Sequence, residues 1–298
     1  MHGTTLHSID ALKKEFDQLR KGKDAILTLL EEAELPESVY NSNAIENSTL
    51  TLDETEKILM HEELPARHSK REIFEAINLG AVTQYLEEKI RQSETLSDDL
   101  LLFVHKSLMS NIRDDIAGRF RQDKEYVRVG SHIAPPPEQV APLIQVALGK
   151  YQSDSAHPLE RIVAFHPEFE HIHPFCDGNG RVGRALLNFQ LKSNGFPPII
   201  IRNKEKQDYY EALRAYDNNR STKKFEHILA LLLKESFHKR ITYLRGDEVV
   251  LLSVLARGDR KHSAQSIANA AKKQSLPAFR ERGRWKVGKK MFGEWLKA

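Results

Sequence analysis

A twelve-residue segment from His173 to Arg184 brings together side chains that suit the chemistry of phosphate groups. The imidazole of His173 can take up a proton near neutral pH, as a general base must. Asp177 offers a hard carboxylate oxygen of the kind that Mg²⁺ accepts when it also binds substrate phosphates. Arg181 and Arg184 are three residues apart, so they share one face near the start of the predicted helix that follows. Two guanidinium groups beside a base and a metal ligand suit a polyphosphate better than a single carboxylate.

The glycines of this segment predict a tight turn that opens into a helix. Gly178 and Gly180 let the backbone turn sharply and present successive N–H groups to one point. The positive end of the helix dipole adds to the attraction for an anion at that point. Taken singly, each residue also fits a connecting turn with solvated arginines, but the combination predicts a site for phosphate transfer within one loop.

The same segment resembles the signature of the Fic family, His-Pro-Phe-x-Asp/Glu-Gly-Asn-Gly-Arg-x-x-Arg, and matches every specified position. The resemblance implies a protein adenylyltransferase, which transfers AMP from ATP to a Ser, Thr or Tyr hydroxyl of a target protein and to itself. It gives His173 the role of catalytic base, Asp177 that of Mg²⁺ ligand, and Phe175 that of a core anchor for the loop. The residues that it implies as ATP contacts are Asp177, Gly178, Asn179, Gly180, Arg181, Val182, Gly183 and Arg184.

A short hairpin is predicted where Tyr126–Val129 and Ile133 flank the turn residues Gly130 and Ser131. It resembles the flap of the Fic family, which binds the target protein as an added strand. The resemblance implies a protein substrate docked on this hairpin, although a purely structural hairpin is the alternative. The nucleotide contacts that it implies here are Val129, Gly130, Ser131 and His132.

Tyr209 and Tyr210 are similar to a tyrosine pair that lines the nucleotide pocket of related proteins. Two half-buried helix tyrosines would give the same pattern. Related proteins often place an asparagine slightly later in the chain to contact the nucleotide. This chain departs from that pattern, because it has Asp217 there.

The segment Ser42–Asn47 fits an inhibitory pattern of the family, Ser/Thr-x-x-x-Glu-Gly/Asn. The spacing of four residues places Ser42 and Glu46 on one face of a helix. In inhibited relatives this glutamate pairs with the second arginine of the motif, here Arg184, and ATP then binds in an unproductive pose. The resemblance therefore implies an inhibitory set of Ser42, Glu46 and Arg184. Some relatives with this glutamate also remove AMP, and the sequence is compatible with that second activity.

Helical periodicity dominates the chain, and a capping-box pattern at Thr51–Glu54 starts one helix. We predict a mainly α fold, namely a Fic-type helical bundle with a short β-hairpin flap and a small C-terminal winged-helix-like module. The expected division is an N-terminal helical region over 1–95, a catalytic core over 96–245 and the module over 246–298. The predicted helices cover residues 8–33, 38–47 (the inhibitory helix), 52–62, 69–91, 96–110, 137–151, 157–171, 181–194, 205–217 and 222–243.

The end of the chain is strongly basic. Residues 256–298 carry twelve Lys and Arg against three Asp and Glu, whereas the rest of the chain has an acidic balance. Helices, one of them at 263–268, a strand at 284–287 and a last helix ending near Leu296 resemble a winged-helix or excisionase-like module, with Trp285 and Trp295 in its core. Such a module would favour nucleic acid through phosphate contacts. We favour a dimerisation or target-docking module with solvated lysines instead, because the spacing identifies no base-reading helix.

The amino-acid composition limits the compartment and the partners that are expected for the protein. The single cysteine, Cys176, forms no internal disulfide, which favours a reducing compartment such as the cytoplasm. No apolar run approaches the length that crosses a bilayer, so no membrane partner is expected. Relatives often form dimers, which leaves a monomer and a homodimer open. Two rival functions stay open as well: transfer of another phosphate-containing group by the same fold, and a DNA-binding regulator that senses nucleotide.

Overall fold

The computed structural model describes residues 1, 3–61, 68–258 and 261–297. These residues form thirteen α-helices and five short strands, which confirms the predicted mainly α fold. None of the described helices combines the length and the apolar character that crossing a lipid bilayer requires. The helices are α1 Gly3–Leu19, α2 Asp24–Ile45, α3 Leu52–Leu59, α4 Lys70–Arg91, α5 Asp98–Met109, α6 Pro137–Ser153, α7 Pro158–Ile172, α8 Asn179–Ser193, α9 Lys206–Asn219, α10 Lys223–Leu244, α11 Leu252–Gly258, α12 Ala264–Lys272 and α13 Lys289–Trp295. The strands are β1 Arg128–Val129, β2 His132–Ile133, β3 Val249–Leu251, β4 Ala278–Glu281 and β5 Arg284–Gly288.

The chain separates into two compact units. One consists of Met1–Leu35 and His227–Ala298, and the other of Pro36–Glu226. The division falls inside α2 and α10. All the residues predicted to bind nucleotide lie in the Pro36–Glu226 unit. The three-part division expected from the sequence stays a prediction.

Three of the predicted helices have different limits. The helix predicted over 52–62 ends at Leu59, and residue 62 of that prediction lies outside the described residues. The stretch 8–33 is broken, because α1 ends at Leu19 and the chain turns through Gly22, whose φ is +70°. Residues 38–47 are not a separate helix but the last part of α2, which continues through Pro36. Proline removes a backbone donor, so it costs one hydrogen bond of the helix, and the chain remains helical on both sides of it.

The end of α2 follows the predicted pattern. The helix stops at Ile45, and Asn47 adopts a left-handed conformation with φ of +70°. Thr51 then caps α3: its side chain accepts a hydrogen bond from the Glu54 N–H (3.2 Å), and the Glu54 carboxylate accepts one from the Thr51 N–H (2.9 Å). The predicted capping box is therefore confirmed. These two ends fix Glu46 directly after the last turn of α2.

The loop from His173 to Gly178 connects α7 to α8, and both helices are anchored by apolar side chains. Phe169 of α7 and Val182 of α8 are fully buried. Within the loop Phe175 is also fully buried and stacks on the His105 ring of α5, with the ring centroids 3.7 Å apart. The expectation that Phe175 anchors the loop in the core is confirmed.

The predicted hairpin is confirmed as an antiparallel pair of two-residue strands. Arg128 pairs with Ile133 and Val129 with His132, while Gly130 turns with φ of +60°. The side chains of Val129 and Ile133 are exposed, at 45% and 72% of their surface. Exposed apolar side chains on a short hairpin are available to a partner.

The C-terminal module contains a three-stranded antiparallel sheet in the order β3-β5-β4. The sequence predicted only β5 of these strands, because β3 is a three-residue run that leads directly into α11 and β4 is short. Ile267, Ala271 and Val287 form part of its buried core, and Trp285 and Trp295 pack against that core as predicted.

Candidate functional site

A cavity of about 300 Å³ lies within the Pro36–Glu226 unit and contains most of the predicted nucleotide contacts. Its wall joins the end of α2, the hairpin, the end of α7, the start of α8 and one face of α9. The lining residues are Glu46, Val129, Gly130, Ser131, His132, Glu170, His173, Gly180, Arg184, Tyr209, Tyr210, Leu213, Arg214 and Asp217.

His173 occupies the C-terminal cap of α7 in a left-handed conformation, with φ of +50°. Its N–H donates to the Phe169 carbonyl (3.0 Å), and its Nδ1 lies 3.3 Å from the Glu170 carbonyl. Because a carbonyl oxygen only accepts, Nδ1 carries the proton and Nε2 presents a lone pair. Burial lowers the pKa of His173 to about 4, so the ring is neutral at pH 7. Among the described residues no group is hydrogen-bonded to Nε2, so this neutral imidazole can accept a proton there.

Asn179 holds the loop in shape. Its side-chain amide donates to the Phe175 carbonyl and its side-chain oxygen accepts from the Phe175 N–H, both at 2.8 Å. Gly178 precedes it as the N-cap of α8 with φ of +82°, a conformation that favours glycine. Since the Asn179 amide is buried and engaged on both sides, its direct contribution is to the loop and not to the cavity.

His105 supports the same loop from α5, a role that was not predicted from the sequence. Its Nδ1 accepts a hydrogen bond from the Gly118 N–H (3.0 Å), so its Nε2 donates to the Asp177 carbonyl (3.1 Å). Burial lowers the pKa of His105 to about 4, which keeps this tautomer neutral. The only signal in the sequence was a histidine within a predicted helix.

The Asp177 carboxylate lies outside the cavity lining and is engaged by arginines. Arg71 of α4 donates to it at 2.5 Å, and Arg181 Nη2 lies 3.4 Å away. Burial alone would raise the pKa of Asp177, but the hydrogen bond from Arg71 and the two guanidinium charges lower it overall. Arg181 is buried and also lies 3.0 Å from Glu75 of α4. The carboxylate is therefore ionised and of the hard-oxygen type that Mg²⁺ prefers, with Arg71 as its present partner.

Arg184 is held by hydrogen bonds to Ser42 of α2 and to Glu46, which directly follows that helix. Its Nε donates to the Ser42 hydroxyl (2.9 Å), and its Nη2 donates to the Ser42 carbonyl (2.8 Å) and to Glu46 Oε1 (2.9 Å). A Cβ at Gly180 would collide with the carboxylate of Glu46 and with the guanidinium of Arg184, so glycine makes room for the pair. The Tyr210 hydroxyl donates to the Ile45 carbonyl (3.1 Å), which ties the end of α2 to α9.

Glu170 is a second carboxyl group in the cavity wall that the sequence did not single out. Burial raises its pKa to about 7, with Arg184 opposing and Glu46 adding to the shift. Its carboxylate occupies the space that a Cβ at Gly183 would fill and lies 3.5 Å from the Tyr209 hydroxyl. The spacing of three residues from His173 on α7 was the available signal.

Tyr209 is fully buried although it lines the cavity. Its hydroxyl is 2.9 Å from His166 Nε2, so its role combines helix packing with the cavity wall. Asp217 of α9 also reaches the wall, and its carboxylate is 2.8 Å from His171 Nδ1 and 3.8 Å from His132 Nδ1. Asp217 thus has histidine partners from α7 and from the hairpin.

The predicted residues therefore fall into two groups. Ten line the cavity: Glu46, Val129, Gly130, Ser131, His132, His173, Gly180, Arg184, Tyr209 and Tyr210. The others support the wall from outside it: Ser42, Asp177, Gly178, Asn179, Arg181, Val182 and Gly183. Among these, Val182 has its side chain buried in the core, so that only its backbone could face a ligand.

The sequence of the chain matches a family model and several curated proteins. Residues 95–191 match the family model described as the Fic/DOC family. The chain is 31% identical over 212 residues to the "Protein adenylyltransferase Fic" of Nematostella vectensis, covering 70% of this chain and 49% of that protein. It is 30% identical over 212 residues to the protein of the same name in Drosophila melanogaster, covering 70% of this chain and 42% of that protein. The chain thus spans about half the length, or less, of the curated relatives it matches.

Solved structures agree on the fold. Fic-1 from C. elegans superposes with a TM-score of 0.70 at 28% identity, covering 80% of this chain and 70% of that one. A Fic domain containing signaling protein from Bacteroides thetaiotaomicron has a TM-score of 0.73 at 22% identity, covering 80% and 97%. The second likeness shows a shared fold alone.

Proposed function

The chain belongs to the Fic/DOC family, whose model its residues 95–191 match, and on that premise we propose that it transfers AMP from ATP to a hydroxyl group of a protein. The observation that carries the proposal is the cavity wall in which His173, Gly180 and Arg184 meet beneath the hairpin. The name of the relatives at about 30% identity, protein adenylyltransferase, supports the same chemistry.

In the proposed reaction, His173 Nε2 accepts the proton of the target hydroxyl. The hydroxyl oxygen then forms a bond to the α-phosphorus of ATP, the bond to the bridging oxygen breaks, and pyrophosphate leaves. Because the pKa of His173 is low, the ring is deprotonated and can act as a base at neutral pH. It is a weak base, so the rate depends on how well the target hydroxyl is positioned beside it. Positioning and charge neutralisation supply most of the catalysis in phosphate transfer.

The phosphates would be held by the start of α8. Its first N–H groups lack partners within the helix and face the loop, and the helix dipole favours an anion there. Arg184 would contact the outermost phosphate once it is released from Glu46. The Asp177 carboxylate fits a single protein ligand for Mg²⁺, which when bound would neutralise phosphate charge. Arg71 would have to leave Asp177 for that to occur.

We propose that Ser42, Glu46 and Arg184 together inhibit the transfer reaction. The observed hydrogen bonds engage Nε and Nη2 of Arg184, so a phosphate would have to compete with Ser42 and Glu46 for these two donors. The structure thus supports an autoinhibited state. Removal of AMP from a modified protein stays a further proposal for the same site, since Glu46 lines the cavity and could hold a water molecule there.

The target protein would add a strand to the hairpin. Two exposed apolar side chains, Val129 and Ile133, and the short ladder between β1 and β2 support that mode of docking. Such pairing through the backbone tolerates many target sequences. Transfer of UMP or another phosphate-containing group is the rival reaction on the same fold.

Proposals for other partners depend on the C-terminal module. The α12 helix exposes Gln265, Asn269 and Lys272, and the basic charge of the module would attract duplex DNA. Binding of DNA is therefore a second proposal, and a homodimer and a place in the cytoplasm remain predictions from the sequence.

Mass spectrometry tests the transfer directly. Glu46→Gly protein incubated with ATP and Mg²⁺ should gain the mass of one or more AMP groups, and the Glu46→Gly/His173→Ala form should gain none. The same incubation with UTP in place of ATP distinguishes AMP transfer from the rival reaction, the transfer of UMP. An equal gain in the form that lacks His173 would refute its role as the base.

A further inference from the structure

Arg121 is a buried cation that binds carbonyl groups instead of a carboxylate. Its side chain is 2% exposed, and within the described residues it forms no ion pair. Burial lowers its pKa, but a guanidinium stays protonated at neutral pH. A buried charge needs compensation, and here oriented carbonyl dipoles supply it.

Three of these contacts concern the end of α7. Arg121 Nε donates to the His173 carbonyl (2.8 Å), its Nη2 donates to the Ile172 carbonyl (3.2 Å), and its backbone N–H donates to the Pro174 carbonyl (2.9 Å). The last carbonyls of a helix have no partner within it, and a cation near them is favourable. Arg121 therefore caps α7 at the point where His173 takes its left-handed conformation, which is unfavourable for a residue with a side chain.

Two further contacts concern the hairpin. Arg121 Nη1 donates to the Glu125 carbonyl (3.0 Å), just before the hairpin, and its Nη2 donates to the Pro135 carbonyl (2.9 Å), just after it. One guanidinium thus fixes both ends of the segment 126–134 and the backbone of His173. The planar fork of arginine can serve these directions together, whereas a lysine cannot.

We propose that Arg121 is a positioning residue that sets the distance between the base His173 and the hairpin on which the target docks. This proposal rests on the proposed function, because the distance between His173 and the hairpin affects catalysis only if His173 is the base and the target hydroxyl is held at the hairpin. A displacement of about 1 Å in such a spacing costs about a hundredfold in rate.

The test compares Arg121→Gln and Arg121→Lys with the control Arg113→Gln, which removes an exposed arginine paired to Asp115. Self-incorporation of labelled AMP is measured in the Glu46→Gly background. We expect Arg121→Gln to lower kcat about a hundredfold while KM for ATP changes less than about threefold. Arg121→Lys should also lower kcat, and Arg113→Gln should leave both constants unchanged.

A titration of the His173 ring by NMR in otherwise unaltered protein gives a readout that a merely structural role would not move. The Arg121 charge helps to hold the pKa of His173 down at about 4, so Arg121→Gln should raise the midpoint and Arg121→Lys should retain it. Unchanged kcat in a folded Arg121→Lys or Arg121→Gln protein, or an unchanged midpoint in Arg121→Gln, would overturn the proposal. If Arg121→Gln does not fold, Arg121→Lys decides. Absence of label in the Glu46→Gly parent would instead refute the proposed function, and the NMR midpoint would still report on Arg121.

Discussion

Glu46 and Arg184 lie 138 residues apart in the chain, yet Arg184 Nη2 donates to Glu46 Oε1 at 2.9 Å. The guanidinium is buried, at 7% exposure, whereas the carboxylate is 39% exposed. Their closeness depends on Gly180, which leaves room for both groups. An ion pair with one buried and one accessible partner can be broken by a change at the accessible partner, and solvent screening limits what the pair contributes.

Ser42→Ala should weaken the inhibition without abolishing it. The substitution removes the hydroxyl that accepts from Arg184 Nε, but the Ser42 carbonyl and Glu46 stay in place. We expect self-incorporation of AMP to rise by about three- to tenfold, since a hydrogen bond to a charged group contributes about 1.5–3 kcal/mol and part of it is replaced by water. Ser38→Ala, one turn earlier on α2, is the matched control. A rise equal to that of Glu46→Gly would mean that the ion pair is not the main restraint.

The fall in rate at acidic pH should reflect the protonation of His173. Its pKa is lowered to about 4 by burial, and only the deprotonated ring accepts a proton. In Glu46→Gly protein, the rate at saturating ATP should therefore not be limited by His173 above about pH 5 and should fall as the pH approaches 4. Because Glu170 titrates in the same cavity, the profile is repeated with Glu170→Gln. A loss centred near pH 6.5 in both forms would contradict the buried, neutral base.

Glu170→Gln should stabilise the protein at alkaline pH. The folded-state pKa of Glu170 is raised to about 7 from 4.5, so the folded state binds this proton more tightly than the unfolded state. The stability due to that proton is complete below about pH 4.5 and is lost as the pH rises through 7. Glutamine imitates the neutral form, so its advantage in thermal unfolding should be largest near pH 8, at most about 3 kcal/mol, and should vanish near pH 4 to 5. An advantage that is the same at pH 5 and pH 8 would show that Glu170 does not titrate in this range.

Arg71→Ala should lower the Mg²⁺ concentration at which AMP incorporation is half-maximal. Arg71 donates to Asp177 at 2.5 Å and so competes with a cation for the same carboxylate. Its side chain is half exposed, which limits the effect to a few-fold. The measurement is a Mg²⁺ titration in the Glu46→Gly background, with Arg91→Ala at the exposed end of α4 as control. An unchanged half-maximal Mg²⁺ concentration would show that Arg71 does not compete with Mg²⁺ for Asp177.

The sequence was sufficient where the relevant residues are close together in the chain. The twelve residues from His173 to Arg184 form one loop and one helix start, and Glu46 follows Ser42 by four residues at the end of α2. Their residue types and spacing therefore predicted the geometry. The capping box at Thr51 followed in the same way from local hydrogen bonds.

The sequence was not sufficient where a contact joins distant segments. His105 reaches Asp177 across 72 residues, Arg121 reaches His173 across 52, and Arg71 reaches Asp177 across 106. No periodicity reports such contacts, because they depend on how helices pack. Strands β3 and β4 were missed for a related reason: their pairing with β5 defines them more than their short sequences do.

In the proposed regulation, the contact of Glu46 with Arg184 holds an AMP-transfer site inactive. Self-incorporation of labelled AMP is measured for wild-type and Glu46→Gly protein at equal concentration. Glu138→Gly, in the first turn of α6, is the control for loss of an acidic side chain. We expect Glu46→Gly to exceed the wild type by about five- to 150-fold, the range of a coupling free energy of 1–3 kcal/mol, and nearer the lower end because Glu46 is partly exposed. Equal incorporation by the two proteins would contradict the claim.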